Sequence, residues 1–144
     1  MNSLNEDEAN ASRIWEAAEA HITALGNLEE NWDGEGASKV RPELIQSARD
    51  LAAQLRERGE SPPADVYPLS EGTIIIEWRL PASVIVRIEI DGIGEGERMA
   101  TYPDRPSEFS RLDWSPQSRT TSANSAWTMI ASAATSNQHR LLNG

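Results

Sequence analysis

The stretch from Gly72 to Gly92, G-T-I-I-I-E-W-R-L-P-A-S-V-I-V-R-I-E-I-D-G, has the period-two alternation of paired strands and sets the fold class. Ile74, Ile76 and Trp78 alternate with Ile75, Glu77 and Arg79, and Val84, Val86, Ile88 and Ile90 alternate with Ile85, Arg87 and Glu89. Pro81-Ala82-Ser83 supplies the turn between them. Two antiparallel strands are therefore predicted, each burying one face and showing charge pairs on the other. Asp91-Gly92 is a strong hairpin signal that leads to a further strand within 93–102.

Upstream of Gly72 the period lengthens. Pro62-Pro63 enforces an extended link, after which 64–67 supplies a short first strand. Before that link, Leu44, Ile45, Ala48, Leu51, Ala52 and Leu55 form an apolar stripe between Pro42, suited to a first helical position, and Gly59. This predicts a helix over 42–58. Ile14, Ala18, Ile22 and Leu25, with Trp15 beside them, predict an earlier helix over 10–26, with polar residues 1–10 frayed. From Pro103 the composition turns to Ser, Thr, Arg, Asn and Pro, with Phe109, Leu112, Trp114, Trp127 and Ile130 scattered through it. Residues 103–121 read as irregular, and 122–134 as a short helix.

The predicted architecture is a single α+β domain over 10–102. Two N-terminal helices pack on one face of a three- to four-stranded antiparallel sheet, followed by a weakly structured polar tail over 103–144. The predicted core sets Ile74, Ile76, Trp78, Val84, Val86 and Ile88 against Leu44, Ala48, Leu51 and Leu55.

At 144 residues the chain fits one domain that buries roughly two-thirds of its unfolded surface, enough for a core without staples. It contains no cysteine, which excludes disulfides, thiolate metal sites and cysteine nucleophiles. The opening M-N-S-L-N-E-D-E lacks the basic and apolar regions of a secretory signal. No apolar run approaches the roughly 18 residues of a spanning helix, so a cytoplasmic protein is expected. The formal charge is −10. Within 1–37, Glu6, Asp7, Glu8, Glu16, Glu19, Glu29, Glu30, Asp33 and Glu35 face Arg13 alone. Such a field repels phosphate backbones and acidic lipid, arguing against nucleic-acid or membrane binding and favouring a basic partner.

Between the two helices, residues 31–37 read N-W-D-G-E-G-A. Asn31, Asp33, Glu35 and Gly36 fall on the first, third, fifth and sixth positions of the D-x-[DN]-x-[DN]-G calcium loop. The bidentate glutamate that should close the loop is missing, because Pro42 stands there and Glu43 comes one residue late. The loop is therefore read as a structural turn in which Asn31 or Asp33 caps backbone N–H groups and Trp32 packs inward, or as a contact edge for a partner or ligand.

Other motifs carry less. Gly92, Gly94 and Gly96 lie in a hairpin beside Glu95 and Glu97, the wrong context for phosphate binding. His21 and His139 stand alone, and no serine sits in a nucleophile elbow. Glu77 and Glu89 offer two carboxylates, but Arg79 and Arg87 nearby make structural ion pairs the better reading.

Taken together, Leu25-x-x-Leu28-x-x-Asn31-Trp32-Asp33-Gly34-x-Gly36-Ala37, the helix through Ala48 and Leu55, the strand ending Glu77-Trp78 and the Ile88 to Gly94 turn resemble a family of small uncharacterised bacterial proteins. That family carries an L-x-x-L-x-x-N-W-D-x-x-G-A start and an L-E-W strand. The resemblance spans about residues 22–95, with Ile76 in place of the usual leucine. It implies the order of elements and groups Trp32, Asp33, Gly36, Glu77 and Trp78 as one set; the physical account of that set is that Trp32 and Trp78 pack near each other, with Glu77 or Asp33 accepting hydrogen bonds from the loop. It implies no activity. The expected function is a non-enzymatic protein-binding or accessory module, such as an antitoxin-like partner of a neighbouring gene product, with no cofactor and no metal. The alternative is an enzyme or small-ligand binder using the Asn31–Ala37 loop, with its Gly34 and Glu35, and Glu77.

Overall fold

A computed structural model describes residues 3–115. Helix α1 spans Ser3–Ala24 and continues into a 3-10 turn, Leu25–Asn27. Helix α2 spans Pro42–Glu57. Five strands follow: β1 Asp65–Pro68, β2 Ile74–Leu80, β3 Val84–Gly92, β4 Glu95–Thr101 and β5 Glu108–Asp113. They pair antiparallel in chain order, β1-β2-β3-β4-β5. Among the described residues no helix is long and apolar enough to cross a membrane.

The α+β class and the antiparallel sheet agree with the sequence; the strand count does not. The expected three or four strands are five. The stretch 103–121, expected to be irregular, contains β5, and Trp114 just after it is buried. Likewise α1 begins at Ser3 rather than near residue 10. The helix expected over 122–134 lies outside the described residues.

Helix α2 follows its sequence signals closely. Pro42 takes a first helical position after the extended Arg41, where a missing N–H costs nothing. At the other end Gly59 adopts φ 78°. Its N–H donates to the Arg56 carbonyl at 3.0 Å, and the Glu60 N–H reaches back to Leu55 at 3.0 Å. This left-handed cap needs a residue without a Cβ penalty.

The inward strand positions Val66, Ile74, Ile76, Trp78, Val84, Val86, Ile88, Ile90, Ala100 and Leu112 join Trp15, Ile22, Leu44, Ala48, Leu51, Ala52, Leu55 and Trp114 in one hydrophobic cluster. Register explains the set: Ile74 pairs with Ile90, Ile76 with Ile88, Trp78 with Val86 and Val86 with Ala100, so side chains of one parity share one face.

Tryptophan N–H groups fix this core to the backbone. Trp15 Nε1 donates to the Glu60 carbonyl at 3.1 Å and Trp78 Nε1 to the Ser61 carbonyl at 2.8 Å, so α1 and β2 both hold the segment leaving α2. Trp114 Nε1 donates to the Ser47 carbonyl at 3.0 Å. The buried Ser47 hydroxyl donates to the Gly92 carbonyl at 2.8 Å and accepts from the Gly94 N–H at 2.9 Å. Each bond satisfies a polar group that burial would otherwise strand, and each orients one element on another.

Candidate functional site

The loop between the helices is a ring closed on itself. Asn31 adopts φ 63°, Gly34 φ 77° and Gly36 φ 89°. The Asn31 N–H donates to the Ala37 carbonyl at 2.7 Å, and its own carbonyl accepts from Gly34 at 3.0 Å. The Asn31 side-chain oxygen takes the Gly36 N–H, while Asp33 Oδ1 takes Glu35 N–H at 2.8 Å and Ala37 N–H at 3.0 Å. The Glu35 N–H and then the Ala37 N–H hold the Asp33 carboxyl below its ordinary range. The turn reading of Asn31 and Asp33 thus has its hydrogen bonds.

Trp32 behaves otherwise than expected. It is half-buried and outside the core cluster, with Nε1 donating to the Ser38 carbonyl at 2.9 Å inside its own loop. Trp78 lies in the core cluster and bonds to Ser61, so the two indoles serve separate places. The loop brings Asn31 to Gly36 together but does not join them to Glu77. Among the described residues no group of three or more His, Asp or Glu side chains is placed to hold a metal ion.

Glu77 belongs to the other face of the sheet. Strand alternation turns it away from its neighbour Trp78, toward Asp65 and Tyr67 of β1 and Arg87 of β3. Its carboxylate, with the residue only 4% exposed, accepts from Arg87 Nε at 2.8 Å and the Tyr67 hydroxyl at 3.1 Å on Oε1, and from Arg79 Nε at 3.1 Å on Oε2. Burial raises the carboxyl's pKa, but the hydrogen bonds from Arg87, Tyr67 and Arg79 together outweigh it and hold Glu77 below its ordinary value. Burial, and then the bond to Glu77, push the Tyr67 hydroxyl up. A carboxylate saturated by three donors and held ionised is poorly matched to proton transfer near neutral pH. Its chemistry is that of an anchor for two arginines.

The rest of this face comprises Ile75, Ile85, Arg87, Glu89, Glu97, Met99, Phe109 and Arg111, as the ladders Ile75 to Glu89, Glu89 to Glu97, Arg87 to Met99 and Met99 to Phe109 require. None of Ile75, Ile85, Met99 and Phe109 belongs to the core cluster, and Phe109 is 61% exposed. A shallow groove of about 100 Å3 runs between Ile75, Arg87, Glu89, Glu97 and Met99. At the rim Arg111 grips Asp91 through both nitrogens, at 2.7 and 3.0 Å, with Glu95 3.9 Å away. Arg111 holds the Asp91 carboxyl below its ordinary value against the opposing effect of burial.

Of the residues singled out from sequence, this face holds Glu77, Arg79, Arg87 and Glu89, and Glu77 makes the expected ion pairs with both arginines. Tyr67, Glu97, Met99, Phe109 and Arg111 gave no motif. Phe109 stands in E-F-S-R-L-D, where the one apolar residue per face produces no visible period. A second concavity, about 160 Å3, lies between α1 and β1 against Ile14, His21, Pro63 and Asp65. Comparison of the chain with protein-family models, with curated proteins and with solved structures gives no match.

Proposed function

We propose that this protein is a non-enzymatic protein-binding module whose contact surface is the sheet face carrying Glu77, Met99 and Phe109. The observation that carries this reading is the 61% exposed Phe109, paired with Met99 across the β4–β5 ladder on a sheet face outside the core cluster. An aromatic anchor on a rigid sheet, next to a flexible methionine and framed by charged residues, has the make-up of an interface centre and rim. The Glu77 network supports it by fixing Arg79 and Arg87 before any partner arrives, which lowers the entropy lost on binding.

An accessory role beside a neighbouring gene product, antitoxin-like in the sense of masking a basic partner, suits this surface and the charge of −10. The alternative, a catalytic or small-ligand site built from the Asn31–Ala37 loop and Glu77, has against it that Glu77 commits both carboxylate oxygens, and Asp33 its Oδ1, to donors of this chain.

The test is affinity capture from the native host with three baits: the natural chain, Phe109→Glu, and Ile93→Ser, which alters an exposed residue in the β3–β4 turn. The expected result is a partner retained by the natural and Ile93→Ser proteins and lost by Phe109→Glu. Retention by all three contradicts the assignment of the face.

A further inference from the structure

Glu89 and Glu97 stand directly across the β3–β4 ladder on the open face, an arrangement of like charges that destabilises a sheet. Arg87 lines the groove beside them and Arg111 faces Glu97 across the β4–β5 ladder, but the hydrogen bonds of both arginines go to other carboxylates. Arg79 and Arg87 pair with Glu77 at 3.1 and 2.8 Å, and Arg111 with Asp91 and Glu95 at 2.7 and 3.9 Å. Glu89 accepts the Thr73 hydroxyl at 2.8 Å, and among the described residues neither Glu89 nor Glu97 is in ion-pair contact with a cation. The groove of about 100 Å3 between these carboxylates has Ile75 and Met99 as apolar walls and Arg87, held by Glu77, along one side, and Met99 pairs across the ladder with the exposed Phe109.

We propose that this groove receives one lysine or arginine side chain of a basic protein partner. Such a side chain has an apolar stem and a charged head, and the groove offers both complements. The stem lies between Ile75 and Met99, the head bridges Glu89 and Glu97, and an apolar neighbour in the partner rests on Phe109. The bridging cation relieves the carboxylate repulsion, so the like-charge pair favours the bound state. The −10 charge of the chain draws a basic protein and repels nucleic acid and anionic lipid. This inference rests on the binding-face reading above and adds to it the chemistry of the partner's anchor.

The test uses the full chain and two defined probes: acetyl-Leu-Gly-Arg-Gly-Leu-amide and the same peptide with neutral citrulline in place of arginine. Binding is followed by amide and methyl NMR shifts. The expected result is shifts confined to Ile75, Glu89, Glu97, Met99 and Phe109 with the arginine peptide. Affinity should fall about tenfold with citrulline or in Glu89→Gln/Glu97→Gln, the loss of one charge-assisted contact. The double variant retains both side-chain shapes and removes a repulsion, so its melting temperature should not fall. Shifts spread over Glu6, Asp7 and Glu8 and indifferent to the double variant would overturn the proposal. So would contacts from residues 116–144 to Ile75 and Met99 in the free protein, or a dimer in sedimentation that Phe109→Glu dissociates. A captured partner lost by Phe109→Glu but retained by Glu89→Gln/Glu97→Gln contradicts the groove alone and leaves the binding face standing.

Discussion

Glu77 and Trp78 are chain neighbours that serve opposite sides of one sheet: the Trp78 indole donates to Ser61 at 2.8 Å on the core side, and the Glu77 carboxylate takes Arg87 at 2.8 Å on the other. The pair thus joins the two functions of β2, holding the segment after α2 and organising the charges of the open face. Either substitution is expected to be felt, for different reasons. Trp78→Phe leaves the Ser61 carbonyl without its donor and a cavity where the larger indole packed, at a cost of about 2–4 kcal/mol. Glu77→Ala leaves two arginines without their acceptor, but both reach solvent, so screening limits the cost to about 1–2 kcal/mol. Urea denaturation of the two variants measures both.

The same carboxylate gives a pH dependence. Its folded pKa is depressed, so the unfolded chain binds the proton more readily and protonation favours unfolding. The Glu77 contribution is therefore fully present above the ordinary glutamate range and is lost as pH falls through that range to the depressed folded value. Asp91, depressed by Arg111, acts with the same sign. The melting temperature is expected to fall less steeply with acidification in Glu77→Gln than in the natural chain. Parallel acid profiles would show that the carboxylate titrates alike in both states.

Core truncations should separate sharply from surface ones. Ile76 and Leu51 are fully buried in the shared cluster, and alanine at either is expected to cost about 2–5 kcal/mol. Ile93→Ala, at the exposed β3–β4 turn, is expected to stay within about 0.5 kcal/mol. Denaturant midpoints at unchanged slope would measure both.

Removing 103–144 is expected to destroy the cooperative melting transition, because it removes β5 and the Trp114 bond to Ser47. It also uncovers Gly96, where a Cβ would fall against the Glu89 carbonyl and the Trp114 ring, so closely do β4 and that indole pack. Trp114→Ala alone is expected to cost about 3–5 kcal/mol. A truncated chain that melts as the natural one does would contradict the placement of Trp114 in the core.

Calcium at millimolar concentration is expected to leave the melting temperature unchanged. Asp33 Oδ1 already accepts two backbone N–H groups, and Pro42 stands where a calcium loop places its bidentate ligand. A rise of several degrees, abolished by Asp33→Ala, would contradict the structural reading of the loop.

How much of this was legible depends on whether a segment carries its own pattern. The β2–β3 hairpin did, since Ile74, Ile76 and Trp78 oppose Ile90, Ile88 and Val86 at strict period two. Helix α2 did too, bounded by Pro42 and Gly59. The capping by Asn31 and Asp33 followed from residue type. Strand β5 did not, because Phe109 and Leu112 point to opposite faces and its place depends on Trp114 meeting Ser47, far earlier in the chain. The start of α1 escaped for a related reason: its opening residues are mostly polar, and among its described side chains Trp15 is the first in the core cluster. The open face was illegible as a site because register from three ladders is needed to bring Glu77, Glu97 and Phe109 onto one surface.

The sheet face around Phe109 is proposed to bind a protein partner, and host-lysate capture with Phe109→Glu is the decisive experiment. The side chain is largely in solvent, so the substitution should leave the melting temperature within the small range of surface changes. The expected result is a folded variant that has lost the partner retained by the natural chain and by Ile93→Ser. A folded Phe109→Glu protein that captures the same partner as the natural chain would contradict it.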